Sequence, residues 1–205
     1  MLRSLSLITV VLGVLATTVP ATSATRSDAP SLAAAKRMMQ PGPEDRTLAS
    51  ENGTWNVVST LRLTPDAKPI VTRGIIATRR MIGNYQQEIM KPAPGSDTPD
   101  FRRLAYLHYF RVQGCWQYVS MDTRFPVGIM PAKGCEKTHD GKLTLEFDSI
   151  PFVGLGDKVE GRSINSNLVI VHDGPNHEYI RQYWTRADGT GQRWLAVQYE
   201  YTRRD

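Results

Sequence analysis

Trp194-Leu195-Ala196-Val197-Gln198-Tyr199-Glu200-Tyr201-Thr202-Arg203 changes character at every second residue. Successive side chains of an extended strand point to opposite faces. Leu195, Val197, Tyr199, Tyr201 and Arg203 therefore share one face, and Trp194, Ala196, Gln198, Glu200 and Thr202 share the other. The stretch from Gly53-Thr54-Trp55 to Leu63 reads the same way, with Trp55, Val57, Ser59, Leu61 and Leu63 together. A Trp just inside a first strand and an Arg at the end of a last one suit a closed barrel where its ends meet. The wide ring plugs one mouth and the cation lies on its face.

Between these two stretches the alternation recurs in short runs broken by turn residues. Strands are predicted at 54–63, 69–81, 84–90, 101–112, 115–122, 127–136, 143–148, 158–171, 177–187 and 194–203. Turn signals stand between them at Gly83-Asn84, Pro94-Gly95-Ser96, Asp140-Gly141, Asp173-Gly174-Pro175 and Asp188-Gly189. No long apolar helix interrupts the series, and parallel strands would need such crossovers. An even row of antiparallel strands must hide its edges. The expected fold is all-β: one antiparallel up-and-down barrel of about eight to ten strands, whose interior is filled by side chains or holds one small ligand. Pro43-Glu44-Asp45 starts a helix, with Pro in the first turn and acids at the positive end of the dipole, and Asn52-Gly53 stops it. This short N-terminal helix would cap one end of the barrel.

The first residues read as an address. Arg3 gives the positive start, Leu5 to Ala16 an apolar run, and Pro20 to Ala24 a small-residue cleavage segment. The run is shorter than the ~20 residues that span a bilayer, so the expectation is a cleaved signal peptide over 1–24, no stable membrane insertion afterwards, and a periplasmic or secreted protein. A tether follows over 25–42, with a helical piece around Ala33 to Met39, and the domain occupies 43–205. The formal charge of the 205 residues is +5, but Arg79-Arg80, Arg102-Arg103 and Arg203-Arg204 are separated pairs, each split between strand faces. Nucleic acid binding would ask for a stripe of charge with aromatic platforms, and no nucleic-acid partner is expected.

Cys115 and Cys135 are the two cysteines of the chain. They lie equidistant from the centre of a hairpin near Phe125-Pro126, which sets them opposite one another, and in an oxidising compartment a disulfide is expected. No Cys-x-x-Cys spacing or neighbouring His favours thiol catalysis.

The run Pro41-Gly42-Pro43-Glu44-Asp45-Arg46-Thr47-Leu48-Ala49-Ser50, followed by Gly53-Thr54-Trp55, resembles the opening of a family of bacterial proteins of unknown function. Many of that family are exported, and its expected fold is a lipocalin-like (calycin) barrel. Tyr118-Val119-Ser120, Gly128-Ile129-Met130 and Tyr201-Thr202-Arg203 resemble its later motifs in the same order. The likeness spans about residues 38 to 204. It implies that Trp55 and Arg203 form a structural closure pair and that the barrel has a cavity. It implies no catalytic residue. The chain departs from the pattern near Asp122-Thr123-Arg124, in the Pro-rich segment 91–100, and at its two cysteines.

Candidate chemistry is sparse. In fatty-acid-binding relatives of lipocalins a late Arg-x-Tyr unit grips the ligand carboxylate, and Arg181-Gln182-Tyr183 resembles it. A guanidinium forks onto a carboxylate and a phenol adds a donor. The sequence leaves open which face of 177–187 is inward, because Ile180 and Trp184 occupy the other one. Tyr106, His108 and Phe110 share a strand face and are candidates for cavity wall, with His108 the one His placed to ligate a haem if any is bound. His172 reads as a strand end. The acids read as scattered over outward faces, and neither a metal site nor a catalytic set is expected. The leading expectation is a carrier or sensor of a small apolar or amphipathic ligand, carboxylate-bearing if Arg181 and Tyr183 face inward. A structural or partner-binding barrel with a filled interior is the alternative, and a haem-binding barrel or cavity-based enzyme the third.

Overall fold

The computed structural model describes residues 32–125, 127–136, 141–152 and 162–204. The segment read as a signal peptide, 1–24, lies outside them. Two helices, α1 (Leu32–Met39) and α2 (Pro43–Ser50), precede the strands β1 (Gly53–Leu61), β2 (Ile70–Ile82), β3 (Tyr85–Pro92), β4 (Arg103–Phe110), β5 (Cys115–Asp122), β6 (Met130–Gly134), β7 (Lys142–Phe147), β8 (Ile150–Phe152), β9 (Arg162–His172), β10 (His177–Arg186) and β11 (Trp194–Arg203).

Ten of these strands close a barrel in which all pairs are antiparallel. From β1 to β7 each pairs with the next, β7 pairs with β9, β9 with β10, β10 with β11, and β11 returns to β1. Closure leaves no free edge among these ten strands. The three-residue β8 lies outside the series and pairs with the start of β9. Sequence reasoning gave it no strand, since Ile150-Pro151-Phe152 is too short to show a period and carries a Pro. The predicted strand 127–136 shortens to β6, and 101–112 to β4.

Register carries the closure into side chains. Trp55 stands opposite Arg203, Val57 opposite Tyr201, and Ser59 opposite Tyr199. All of these but Arg203 are buried, which makes the odd-numbered face of both strands the interior. The Arg203 guanidinium lies 4.4 Å from the centre of the Trp55 ring, and Arg79 stacks on that ring from within at 5.3 Å. On β10 the interior takes the even face: Glu178, Ile180 and Trp184 are buried, with Ile180 between Ile170 and Tyr199. On β4 the interior takes Arg103, Ala105 and Leu107.

The helix α2 lies over the end where β1 begins. The Gly42 N–H donates to Asp45 at 2.6 Å, and Asp45 also holds Arg111 from the β4–β5 turn. At the other end of α2, Arg203 donates to the carbonyls of Ser50 and Asn52, both at 2.8 Å. A helix leaves its last carbonyls without intrahelical donors, and a cation there also meets the negative end of the dipole. The Trp55 indole N–H donates to the Glu51 carbonyl at 3.0 Å, so the ring that plugs the mouth also anchors the helix above it.

Cys115 and Cys135 form a disulfide across the β5–β6 pair, whose register also sets Trp116 opposite Gly134. At Gly134 a side chain would run into the Thr144 carbonyl of β7. Among the described residues no helix is long and apolar enough to cross a membrane.

Candidate functional site

Under α2 the barrel encloses a cavity of about 310 Å³. Its walls are apolar, built from Leu48, Ala105, Leu107, Leu143, Ile170 and Ile180. Most of the polar groups belong to one hydrogen-bonded cluster that joins Arg79, Glu51, Glu88, Glu178, Gln86 and Arg103. Arg103 and Tyr118 line both this cavity and a second space of about 50 Å³ in the far half of the barrel. That far half is packed by Leu168, Trp184, Val197 and Tyr199. One half of the interior is therefore filled and the other is open.

The centre of the polar group is Arg79, 4 % exposed. Its Nε donates to Glu88 at 2.8 Å, its Nη2 to Glu178 at 2.6 Å, and its Nη1 to Glu178 at 3.1 Å and Glu51 at 3.2 Å. The face of the guanidinium packs on Tyr201, 4.5 Å from the ring centre. Arg103 donates to the other oxygen of Glu88 at 2.6 Å and to the Tyr118 hydroxyl, and Tyr201 donates to Glu88 at 3.2 Å. Buried charges survive only when paired and hydrogen-bonded. Both guanidiniums meet that condition. Burial alone would lower the pKa of each, and the facing carboxylates and phenols reverse it, so each is raised further above its usual range.

The carboxylates are less evenly served. Burial pushes Glu178 up, but Arg79 and a hydrogen bond from His172 outweigh it and hold its carboxyl at about 2. Glu51 is raised instead, first by burial, which Arg79 only partly offsets, and further by the neighbouring Glu178. Its Oε2 accepts from Arg79 and from Gln86 at 3.0 Å. Its Oε1 stands 3.6 Å from the His172 Nε2. His172 stands at the end of β9 with its Nδ1 at 3.1 Å from Glu178. That hydrogen bond raises its pKa, burial works against it, and Glu51 adds to the rise.

The expectation that the acids sit on outward faces is corrected here. Glu88 and Glu178 point inward and Glu51 closes the group from the end of α2. None shows a pattern in sequence, because each is isolated among apolar or polar neighbours and only closure brings residues 51, 88 and 178 together. The pairing Arg79↔Glu88 between β2 and β3 was the one signal available, an Arg and a Glu opposed about the turn at Gly83-Asn84.

Glu51, His172 and Glu178 each offer one ligand atom, all within 4.8 Å of one another. A carboxylate and imidazole set of this kind could accept a metal ion. However, both Glu178 oxygens and one Glu51 oxygen already face Arg79, so a divalent ion would sit against a fixed positive charge. One extra positive charge neutralises three carboxylates set against two guanidiniums, and two overshoot.

The residues expected to line the cavity lie elsewhere. Arg181 and Tyr183 occupy the outer face of β10. Arg181 donates to Gln198 at 3.3 Å, and Arg193 covers the Tyr183 ring at 3.9 Å. With both outside, the carboxylate grip expected of them has no ligand to reach in the cavity. Tyr106, His108 and Phe110 are likewise on the outer face of β4. Tyr106 and His108 border a shallow outer groove of about 420 Å³, and His108 packs its ring on Tyr85 at 4.4 Å with Nδ1 at 3.2 Å from the Asn84 carbonyl. His108 is thus not positioned to ligate a haem inside the barrel. The face that Tyr106, His108 and Phe110 share is the outer one, where the His108 ring packs between those of Tyr85 and Phe110.

No family model matches the chain, and no curated protein matches it. Among solved structures, the crystal structure of Rv2717c from M. tuberculosis is similar, at TM-score 0.53 and 14 % identity, over 81 % of this chain and 100 % of that one. A likeness at this identity establishes the shared barrel fold.

Proposed function

We propose that this protein is an exported, lipocalin-like carrier or sensor that holds a small amphipathic molecule in the cavity under α2. The observation that carries the reading is that cavity, about 310 Å³ with apolar walls and a polar cluster about Arg79. Ligand sites usually enclose ~300 Å³ or more and combine an apolar lining with a few polar groups that fix orientation. A barrel serving only as a scaffold gains stability from filling its interior, as the far half does. The disulfide and the signal-like N-terminus agree with an oxidising compartment. The ligand's polar end meets a saturated pair of guanidiniums and an under-served Glu51, so the carboxylate-bearing ligand loses its main support.

Native mass spectrometry of the disulfide-bonded protein from its own host tests the reading. The expected spectrum shows a complex whose extra mass disappears on denaturation. A uniform unliganded mass, together with no fluorescence response from a neutral apolar dye such as Nile red, would favour the filled-barrel alternative.

A further inference from the structure

We propose that the cavity selects a small organic ammonium ion with an apolar body, seated between Glu51 and His172 in exchange for the proton that His172 otherwise carries. The inference rests on the carrier reading and adds the ligand class and its coupling to pH.

The argument starts from charge. Glu51, Glu88 and Glu178 are buried against Arg79 and Arg103, which leaves one carboxylate in excess among the described residues. Glu44 at the rim of the cavity shares Arg111 with Asp45, at 3.9 Å, and is itself half-buried, so its charge is partly met by solvent. The groups facing His172 are Glu178 from β10, Glu51 from the end of α2, and Arg79 from β2 behind both carboxylates. Without a further cation a buried negative charge is uncompensated, which is costly in a low-dielectric interior. Two sources can supply the cation: a proton on the imidazole or a charged group on the ligand.

Geometry then says where that group goes. A neutral His172 keeps its Nδ1–H on Glu178, 3.1 Å away, and turns an Nε2 lone pair toward Glu51 Oε1, 3.6 Å away. Two acceptors thus face the cavity side by side, and an ammonium has N–H donors for both. Protonated His172 instead presents an N–H at the same place, which repels an ammonium and satisfies Glu51 by itself. Ligand and proton therefore compete for one site. His172 titrates above the usual imidazole range, so falling pH hands the site to the proton and rising pH frees it for the ligand. The apolar walls contributed by Leu107, Ile170 and Ile180 take the body of the ligand.

Isothermal titration of the disulfide-bonded protein with hexylammonium, hexan-1-ol and hexanoate tests this. At about pH 8 hexylammonium should bind at least about tenfold more tightly than the alcohol, with hexanoate weakest. Its affinity should fall about tenfold or more by about pH 5.5, and titrations at about pH 6 in two buffers of different protonation enthalpy should count a released proton. Glu51→Gln should bring hexylammonium down to the level of hexan-1-ol. His172→Gln should keep the preference for the ammonium and lose the proton release. Both variants are checked by circular dichroism, and Glu51→Gln keeps Arg79 paired with Glu88 and Glu178. Equal binding of ammonium and alcohol, or ammonium binding with no proton released, overturns the proposal and leaves the carrier reading standing. Failure of all three compounds to bind the folded protein overturns both.

Discussion

Trp55 shows how one side chain serves several purposes. Its ring is 2 % exposed, lies between the guanidiniums of Arg79 and Arg203, and meets Tyr201 edge-on at 6.4 Å. Its N–H holds the end of α2. Truncation removes packing, two cation–ring contacts and a helix anchor together. We expect Trp55→Ala to destabilise the fold by about 3 to 5 kcal/mol, read from chemical denaturation. A loss under about 1 kcal/mol would show that the plug is dispensable. Arg203 differs, because its half-buried side chain stacks on the ring from outside and caps the helix. Arg203→Ala should leave the barrel folded while the amide hydrogens of the last turn of α2 exchange at least about tenfold faster. Unchanged exchange there would mean that Asp45, Arg111 and Trp55 hold α2 unaided.

Among the elements, the β5–β6 pair depends most on a covalent tie. Met130–Gly134 is only five residues long, and its pairing with β7 is limited to Ala132↔Phe147 and Lys133↔Glu146. A strand with so few ladder contacts opens easily. The Cys115–Cys135 bridge closes a loop of sequence separation 20 at the end of that strand, and constraint of the unfolded chain makes such a bond worth roughly 3 kcal/mol. Replacing both cysteines with Ala should lower stability by about that amount, with β6 and β7 the first strands to lose amide protection. Early loss of β1 and β11 instead would place the weak seam elsewhere. β10 makes the complementary point. Its parity is set by neighbours on both sides, Ile180 standing between Ile170 and Tyr199, and nothing within 177–187 alone expresses that choice.

For the molecule as a whole, the buried ion group joins α2, β2, β3, β4, β5, β9, β10 and β11, so pH acts on the entire fold. Glu178 is depressed to about 2 from the usual 4.5. The unfolded chain thus binds more protons in that interval, and the stability Glu178 contributes is complete above 4.5 and lost as pH falls toward 2. His172 is raised above the usual 6.5, so its contribution is complete below 6.5 and lost as pH rises through the folded value. Glu51 is raised too, which makes its ionisation in the folded state a cost that grows as pH climbs above 4.5. Unfolding free energy of the ligand-free protein should therefore peak between about pH 4.5 and 6.5, fall on the acid side through Glu178 and fall more gently on the alkaline side. Denaturant titrations across that range would reveal it, and a maximum above pH 8 would contradict the assigned roles.

The alternation in Trp194–Arg203 and in the stretch from Trp55 onward, with the turn signals between runs, was enough to read the ten barrel strands but not β8; Pro43-Glu44-Asp45 gave the capping helix and the hairpin centre the opposition of Cys115 to Cys135. These follow from short-range rules: side-chain period, turn chemistry and distance from a hairpin centre act over a few residues and leave a local trace. Which face of β4 and β10 turns inward left no such trace, because both faces carry aromatic and apolar residues, and Tyr106, His108, Arg181 and Tyr183 all proved to lie outside. The gathering of Glu51, Glu88, Glu178, Arg79 and His172 left none either. Those residues are distant along the chain and share no period. Barrel closure brings them to one place, where burial makes each charge depend on the others.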